Sequence, residues 1–196
     1  EAFQLRRFAG FPYRHGMDRC DIATTWLLKI EGFWSNDPTD RGGATKLGIS
    51  LRYLQSRPDG RGDLDGDGDV DIDDVKFVTE ARAREIYRAD FWDPCKCSQL
   101  PIGLDVATFC AAVNHGPDFA RRLLQESLRL PPDGRIGPIT LGVAHHSRAT
   151  DVIPEMLSRR ALFYADIVRS NSSQAKFERG WYRRLFLLQQ FIDATS

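Results

Sequence analysis

The chain is predicted to be mainly α-helical, and three observations carry that prediction. Apolar residues recur at three- and four-residue spacing over most of its 196 residues. Apolar–polar alternation of the kind a half-buried strand needs is scarce, confined to a short hairpin around 34–49. Helix-breaking residues mark several joints, among them Pro58, Gly60, Gly62 and the pair Gly116-Pro117.

In chain order, Ile22, Trp26, Leu27 and Ile30 form an apolar stripe, with Asp21 as the expected cap of a helix that ends near Glu31-Gly32. A glycine-rich loop follows, then a short helix over 49–55. A longer helix is expected from Asp74 to about Phe91, with Val75, Val78, Ala81, Ile86 and Tyr87 on its apolar side. Trp92, Pro94 and Cys95-Lys96-Cys97 make a turn. Residues 102–113 read as an apolar helix running into Asn114-His115-Gly116-Pro117, and further helices are expected over 118–129, 138–147, 150–169 and 174–193. No internal repeat is present.

The stretch Glu31–Ile49 is poor material for a core. A carboxylate at a helix end, followed by Asn36, Asp37, Pro38, Asp40, Gly42, Gly43 and Gly48, is turn chemistry that suits an acid held over a cleft. The order Glu31-Gly32, Asn36-Asp37-Pro38, Asp40, Gly42-Gly43, Thr45, Gly48-Ile49 resembles the signature of glycoside hydrolase family 108, lysozyme-like muramidases of phages, prophages and bacterial secretion loci. The spacing is also similar to that of T-even phage lysozymes, with one residue fewer between Asp40 and Thr45. In the second half, Ala112–Gly116, Leu124-Gln125, Asp133–Pro138, Thr140, Phe177, Gly180-Trp181 and Arg184 resemble the peptidoglycan-binding lobe that follows the catalytic segment in this family. The resemblance implies a lysozyme-like, two-lobed helical fold. It divides the chain into an N-terminal extension (1–16), a catalytic lobe (17–105) and a helical peptidoglycan-binding lobe (106–196).

A muramidase protonates a glycosidic oxygen and then satisfies an oxocarbenium-like centre, for which two carboxyl groups are the usual solution. Glu31, beside Phe33 and Trp34, stands where burial would raise its pKa as a general acid requires. The resemblance implies Asp40 as the second carboxylate, with Asp37 as the rival, and Thr45 as the hydroxyl that holds water or orients Asp40. Trp34, Asn114 and His115 are the candidate sugar contacts. Each of them is also compatible with ordinary packing.

A second motif runs from Asp63 to Asp74. Aspartates fall at positions 1, 3, 5, 7, 9 and 12 of a twelve-residue loop (Asp63, Asp65, Asp67, Asp69, Asp71, Asp74) with Gly68 at position 6. Oxygens so spaced converge on one hard cation, Asp69 contributing its carbonyl, and the loop resembles the calcium loop of dockerins and EF-hands. Aspartate rather than glutamate closes it. The expected cofactor is a single structural Ca²⁺ that pins neighbouring helices and takes no part in hydrolysis.

The formal net charge of zero hides an asymmetry. Without the seven aspartates of that loop, 27 basic residues face 20 acidic ones, a balance that suits an anionic wall. No nucleic-acid motif is present, and no apolar run approaches the roughly 20 residues of a membrane span. Residues 1–16 lack the apolar core of a signal peptide. The four cysteines lack CxxC spacing and are expected to be free thiols, with one disulfide as the alternative. The expected function is therefore that of a monomeric N-acetylmuramidase of the endolysin type, made in the cytoplasm and acting on peptidoglycan in the periplasm. The rival is a non-catalytic, calcium-dependent wall-binding module.

Overall fold

The computed structural model describes residues 18–30, 34–35 and 43–195. Glu31, Asp37 and Asp40 lie outside the described residues, as does the N-terminal extension. The described chain is mainly helical, with three two-residue strands. In order, the elements are α1 (Arg19–Ile30), β1 (Trp34–Ser35), β2 (Thr45–Lys46), β3 (Ile49–Ser50), α2 (Leu51–Ser56), α3 (Ile72–Phe77), α4 (Glu80–Tyr87), α5 (Leu104–His115), α6 (Pro117–Ser127), α7 (Pro138–His146), α8 (Ala149–Ser170) and α9 (Ala175–Thr195). A π-turn at Arg88–Trp92 follows α4. Among the described residues, no helix is long and apolar enough to cross a membrane.

Among the described residues, those between 24 and 88 form one compact unit, and 18–23 with 89–195 form another. In the first, Trp26, Leu27, Ile49, Leu54, Val75, Val78, Ile86 and Tyr87 are buried. The three strands make an antiparallel sheet in the order β1-β2-β3, with Trp34 opposite Lys46 and Thr45 opposite both Ser35 and Ser50. The β2–β3 turn is the two-residue pair Leu47-Gly48, both at positive φ (52° and 78°), as a primed hairpin turn demands. Leucine is a poor choice for that conformation. It is held there by burial of its side chain and by the Tyr87 hydroxyl, which donates to the Leu47 carbonyl at 2.9 Å. Gly62, just before the acidic loop, is required by close approach: a Cβ there would lie 2.1 Å from the carbonyl oxygen of Leu54.

Three boundaries depart from expectation. Helix α1 begins at Arg19, and Asp18 rather than Asp21 caps it, accepting from the Cys20 N–H at 2.9 Å. The stretch 49–55 starts as strand β3, and Ser50 then caps α2 by accepting from Tyr53 N–H. The helix expected over 74–91 is two helices, because Val78 is extended and Thr79 starts a new helix by accepting from Arg82 N–H through its side chain. Periodicity continues across that break and does not reveal it.

The second unit is built round α5, in which every residue from Leu104 to Ala112 is buried. Such a helix is covered on all sides, and its polar members need partners. Asp105, 1% exposed, pairs with Arg19, and Thr108 donates back to the Leu104 carbonyl at 2.7 Å. Burial raises the pKa of Asp105, against the opposing pull of Arg19. The Trp92 indole packs edge-on to Phe109 at 5.4 Å and donates to Ser98. All four cysteines are buried and, among the described residues, none is joined in a disulfide.

Tyr87→Phe tests the hold on the hairpin. It leaves the buried Leu47 carbonyl without its donor, and a loss of about 1–3 kcal/mol in denaturant unfolding is expected. An unchanged midpoint would show that burial of Leu47 alone sustains the turn.

Candidate functional site

Of the expected catalytic trio, Thr45 lies within the described residues. It sits half-buried in β2, and its hydroxyl donates to the Gly43 carbonyl at 3.3 Å, which leaves the oxygen's lone pairs open to a further donor. Glu31 follows directly on the last residue of α1, and Asp37 and Asp40 fall in sequence between β1 and β2. Of Trp34 the backbone is described, paired with Lys46.

Next to Thr45, Lys46 reaches across to the acidic segment, its Nζ donating to the carbonyl of Lys76 near the end of α3 at 2.5 Å. Gln55 of α2 likewise donates to the Val70 carbonyl at 3.1 Å. Gln55 thus ties the loop 63–74 to α2, and Lys46 ties the hairpin to α3, the helix into which the loop runs.

Inside the loop five carboxylates, those of Asp63, Asp65, Asp67, Asp71 and Asp74, accept from the loop's own backbone N–H groups. Asp63 accepts from Gly66 (2.6 Å) and Gly68 (3.0 Å), Asp65 from Asp67 (3.3 Å), Asp67 from Asp69 (3.0 Å) and Asp71 from Asp73 (2.6 Å). Asp74 is buried and closes the ring. One oxygen accepts from Leu64 (2.5 Å) and Asp65 (3.3 Å), the other from Asp71 (2.7 Å), forming a capping box at the start of α3. Gly68 takes φ +100°, which a side chain would strain. Candidate ligand oxygens of Asp63, Asp65 and Asp67 lie within 4.8 Å of one another, and so do those of Asp69, Asp71 and Asp74. The protein therefore carries an acidic cluster able to bind a metal ion. The Asp67 carboxylate, with Asp71, Asp74 and Asp63 behind it, raises the pKa of Asp69, the expected response to crowded negative charge.

Asn114 and His115 end α5, in the second unit. The Asn114 side-chain carbonyl accepts from Arg184 Nη1 at 2.5 Å, and His115 Nε2 lies 3.2 Å from the Tyr164 hydroxyl. Phe119, Phe163 and Tyr164 surround the imidazole with ring centroids at 4.8, 5.1 and 5.4 Å. Burial, with Arg160 and Arg184 adding repulsion, lowers the His115 pKa to about 3. His115 is neutral at any ordinary working pH and has no proton to give as an acid. Tyr164 and Arg160 escape sequence reasoning, because their side chains meet His115 and Cys110 of α5 from 49 and 50 positions further along the chain.

Because the folded pKa of His115 lies below its unfolded value near 6.5, the unfolded state binds more protons between the two. The stability this residue contributes is complete above about pH 6.5 and is lost as pH falls toward 3. His115→Gln should flatten that part of the stability–pH curve, measured by thermal unfolding across the range; an identical slope in the variant would contradict the assignment.

Comparison with known proteins bears on both units. Residues 24–116 match the family model described as Glycosyl hydrolase 108, and residues 119–186 match that described as Predicted Peptidoglycan domain. No curated protein matches the chain. Twelve chains of solved structures do. One is SagA of Brucella abortus, with a TM-score of 0.75 and 28% identity, over 89% of this chain and 94% of that one.

Proposed function

We propose that the chain is a lysozyme-like glycoside hydrolase of the family 108 type that acts on peptidoglycan, and that it is an N-acetylmuramidase. The bond cut is the β-1,4 link between N-acetylmuramic acid and N-acetylglucosamine. What carries this reading is that the family match from residue 24 to 116 takes in Glu31 and Asp40, the pair of carboxyl groups a two-carboxylate glycosidase needs, together with Thr45. Glu31 protonates the leaving oxygen. Asp40 stabilises the positive charge that develops at the anomeric carbon or activates the attacking water, and Thr45 presents its oxygen lone pairs to that water. Trp34, Asn114 and His115 contact the glycan. His115, neutral, supports Glu31 as the acid by leaving the proton-donor role to it. The proposed division of labour keeps catalysis within 17–105 and wall recognition within 106–196. The setting we propose is lysis of the endolysin type by a monomer that is made in the cytoplasm and acts in the periplasm.

The acidic loop is proposed to hold Ca²⁺. Asp63, Asp65, Asp67, Asp71 and Asp74, with the Asp69 carbonyl, would supply an all-oxygen set to a hard cation, and the two close-set triads of the loop fit that demand. The ion's contribution is charge neutralisation that stabilises the fold.

Turbidity loss of outer-membrane-permeabilised Gram-negative cells tests the catalytic reading. Wild type should clear them, Glu31→Gln should lose activity by at least about 10²-fold, the scale of a lost general acid, and Asp40→Asn should be strongly impaired with its fold retained. Activity retained in Glu31→Gln would remove the acid assignment. A wild type that binds walls without clearing cells would favour the non-catalytic wall-binding module.

Calcium is tested by melting. A ligand held by the native state alone stabilises it by about 2.7 kcal/mol at a hundredfold excess over Kd. The melting temperature should rise with Ca²⁺ and fall on chelation; superimposable curves would sink the proposal.

A further inference from the structure

The hydrogen bonds around His115 have one consistent polarity. Arg160, at 0% exposure, can only donate. Its Nη2 lies 3.1 Å from the Tyr164 hydroxyl and its Nη1 3.6 Å from the Cys110 sulfur. Tyr164 is itself 1% exposed, so its hydroxyl proton needs an acceptor. Among the described residues, the acceptor in reach is Nε2 of His115, at 3.2 Å. Nε2 therefore accepts, the ring is neutral, and its proton sits on Nδ1.

That Nδ1–H has no acceptor among the described residues and is not among the buried polar atoms left without a partner, so it faces outward. The neighbouring Asn114 is arranged alike. Arg184 occupies its side-chain oxygen, which leaves the amide N–H₂ to donate. Two adjacent residues at the end of α5 thus each offer a donor. Phe119 and Phe163 flank the imidazole, and beyond it Tyr164 stacks on Trp181 (5.1 Å, 30°). Donors bordered by aromatic surface suit an acetamido group, whose carbonyl accepts while its methyl packs on the rings.

We propose that Asn114 and His115 donate to the acetamido carbonyl of an N-acetylhexosamine residue, and that Arg160 and Tyr164 are positioning residues which fix the Nδ1–H tautomer through the chain Arg160→Tyr164→His115. This deepens the peptidoglycan reading and rests on it.

The test uses the full chain with ¹⁵N-labelled histidine. NMR reads the His115 tautomer, and calorimetry compares tetra-N-acetylchitotetraose with cellotetraose, which is equally neutral but carries hydroxyls in place of acetamido groups. The wild type should show the Nδ1–H form and bind the acetylated oligomer at least about tenfold more tightly, the equivalent of one hydrogen bond. Tyr164→Phe should yield mixed tautomers and lose most of that preference. An Nε2–H wild type, equal binding of the two oligomers, or a Tyr164→Phe variant whose preference survives a changed tautomer would each overturn the proposal. Should the variant not fold, the wild-type tautomer and oligomer preference decide. A wild type that clears cells without preferring the acetylated oligomer defeats the subsite and leaves the hydrolase standing; selective binding without clearing does the reverse.

Discussion

A single buried carboxylate organises the unit that contains Thr45. Asp74 is 1% exposed and takes backbone N–H groups from both ends of the acidic loop, Leu64 and Asp65 on one side and Asp71 on the other. Hydrogen bonds to a charged group contribute roughly 1.5–3 kcal/mol each, and losing the acceptor would strand three donors at once. Because Asp74 also completes the capping box of α3, closing the loop and starting the helix are one event. Near the far end of α3, the Lys76 carbonyl receives Lys46 of strand β2. The order of the acidic loop is thereby passed to the hairpin in three contacts, and Tyr87 secures the same hairpin at its turn.

The second unit meets the opposite problem. It buries a cation, Arg160, whose desolvation is costly unless its donors are matched. The match is incomplete: Nη1 meets a thiol, a weak acceptor, Nη2 meets Tyr164, and Nε has no partner among the described residues. A methionine or leucine would be cheaper to bury at such a position. The return on the guanidinium is directional, since an obligate donor behind the Tyr164 hydroxyl compels that hydroxyl to donate onward. Residue choices that sacrifice stability for a defined polarity are characteristic of sites that must recognise something.

Much of the fold was legible in the chain because its signals are local. The helical stripe of α1, the glycine and proline at the α5–α6 joint, and the alternate-residue aspartates of the loop each state their structure within a few positions. In the Asp63–Asp74 loop the sharp turn at Gly68 and the place of Asp74 at the loop's closing end were readable in the spacing. Where reading failed, the deciding interaction was a side chain competing with the backbone. Thr79 offers its hydroxyl to Arg82 and splits one apolar stripe into two helices, and Asp18 takes the capping place expected for Asp21. Asn114 and His115 were recognisable as candidates from their motif, but their chemistry was not. It is set by Arg184, Tyr164 and Arg160, which the sequence separates from them by 45 to 70 positions.

Those distant partners also limit what each group can contribute to a glycosidase. A histidine beside a cleaved bond is ordinarily suspected of acid–base duty, because its pKa lies near neutrality. Here burial and two guanidinium groups hold His115 neutral, and the Tyr164 hydroxyl occupies the one nitrogen able to accept a proton. Protonating Nε2 would set Nε2–H against that hydroxyl proton, whose other neighbour, Arg160, accepts nothing. Proton transfer at His115 is therefore opposed by electrostatics and by hydrogen-bond topology together. In the mechanism proposed here the acid function falls to a carboxyl group, and the role proposed for His115 is recognition, which requires one fixed proton and no exchange.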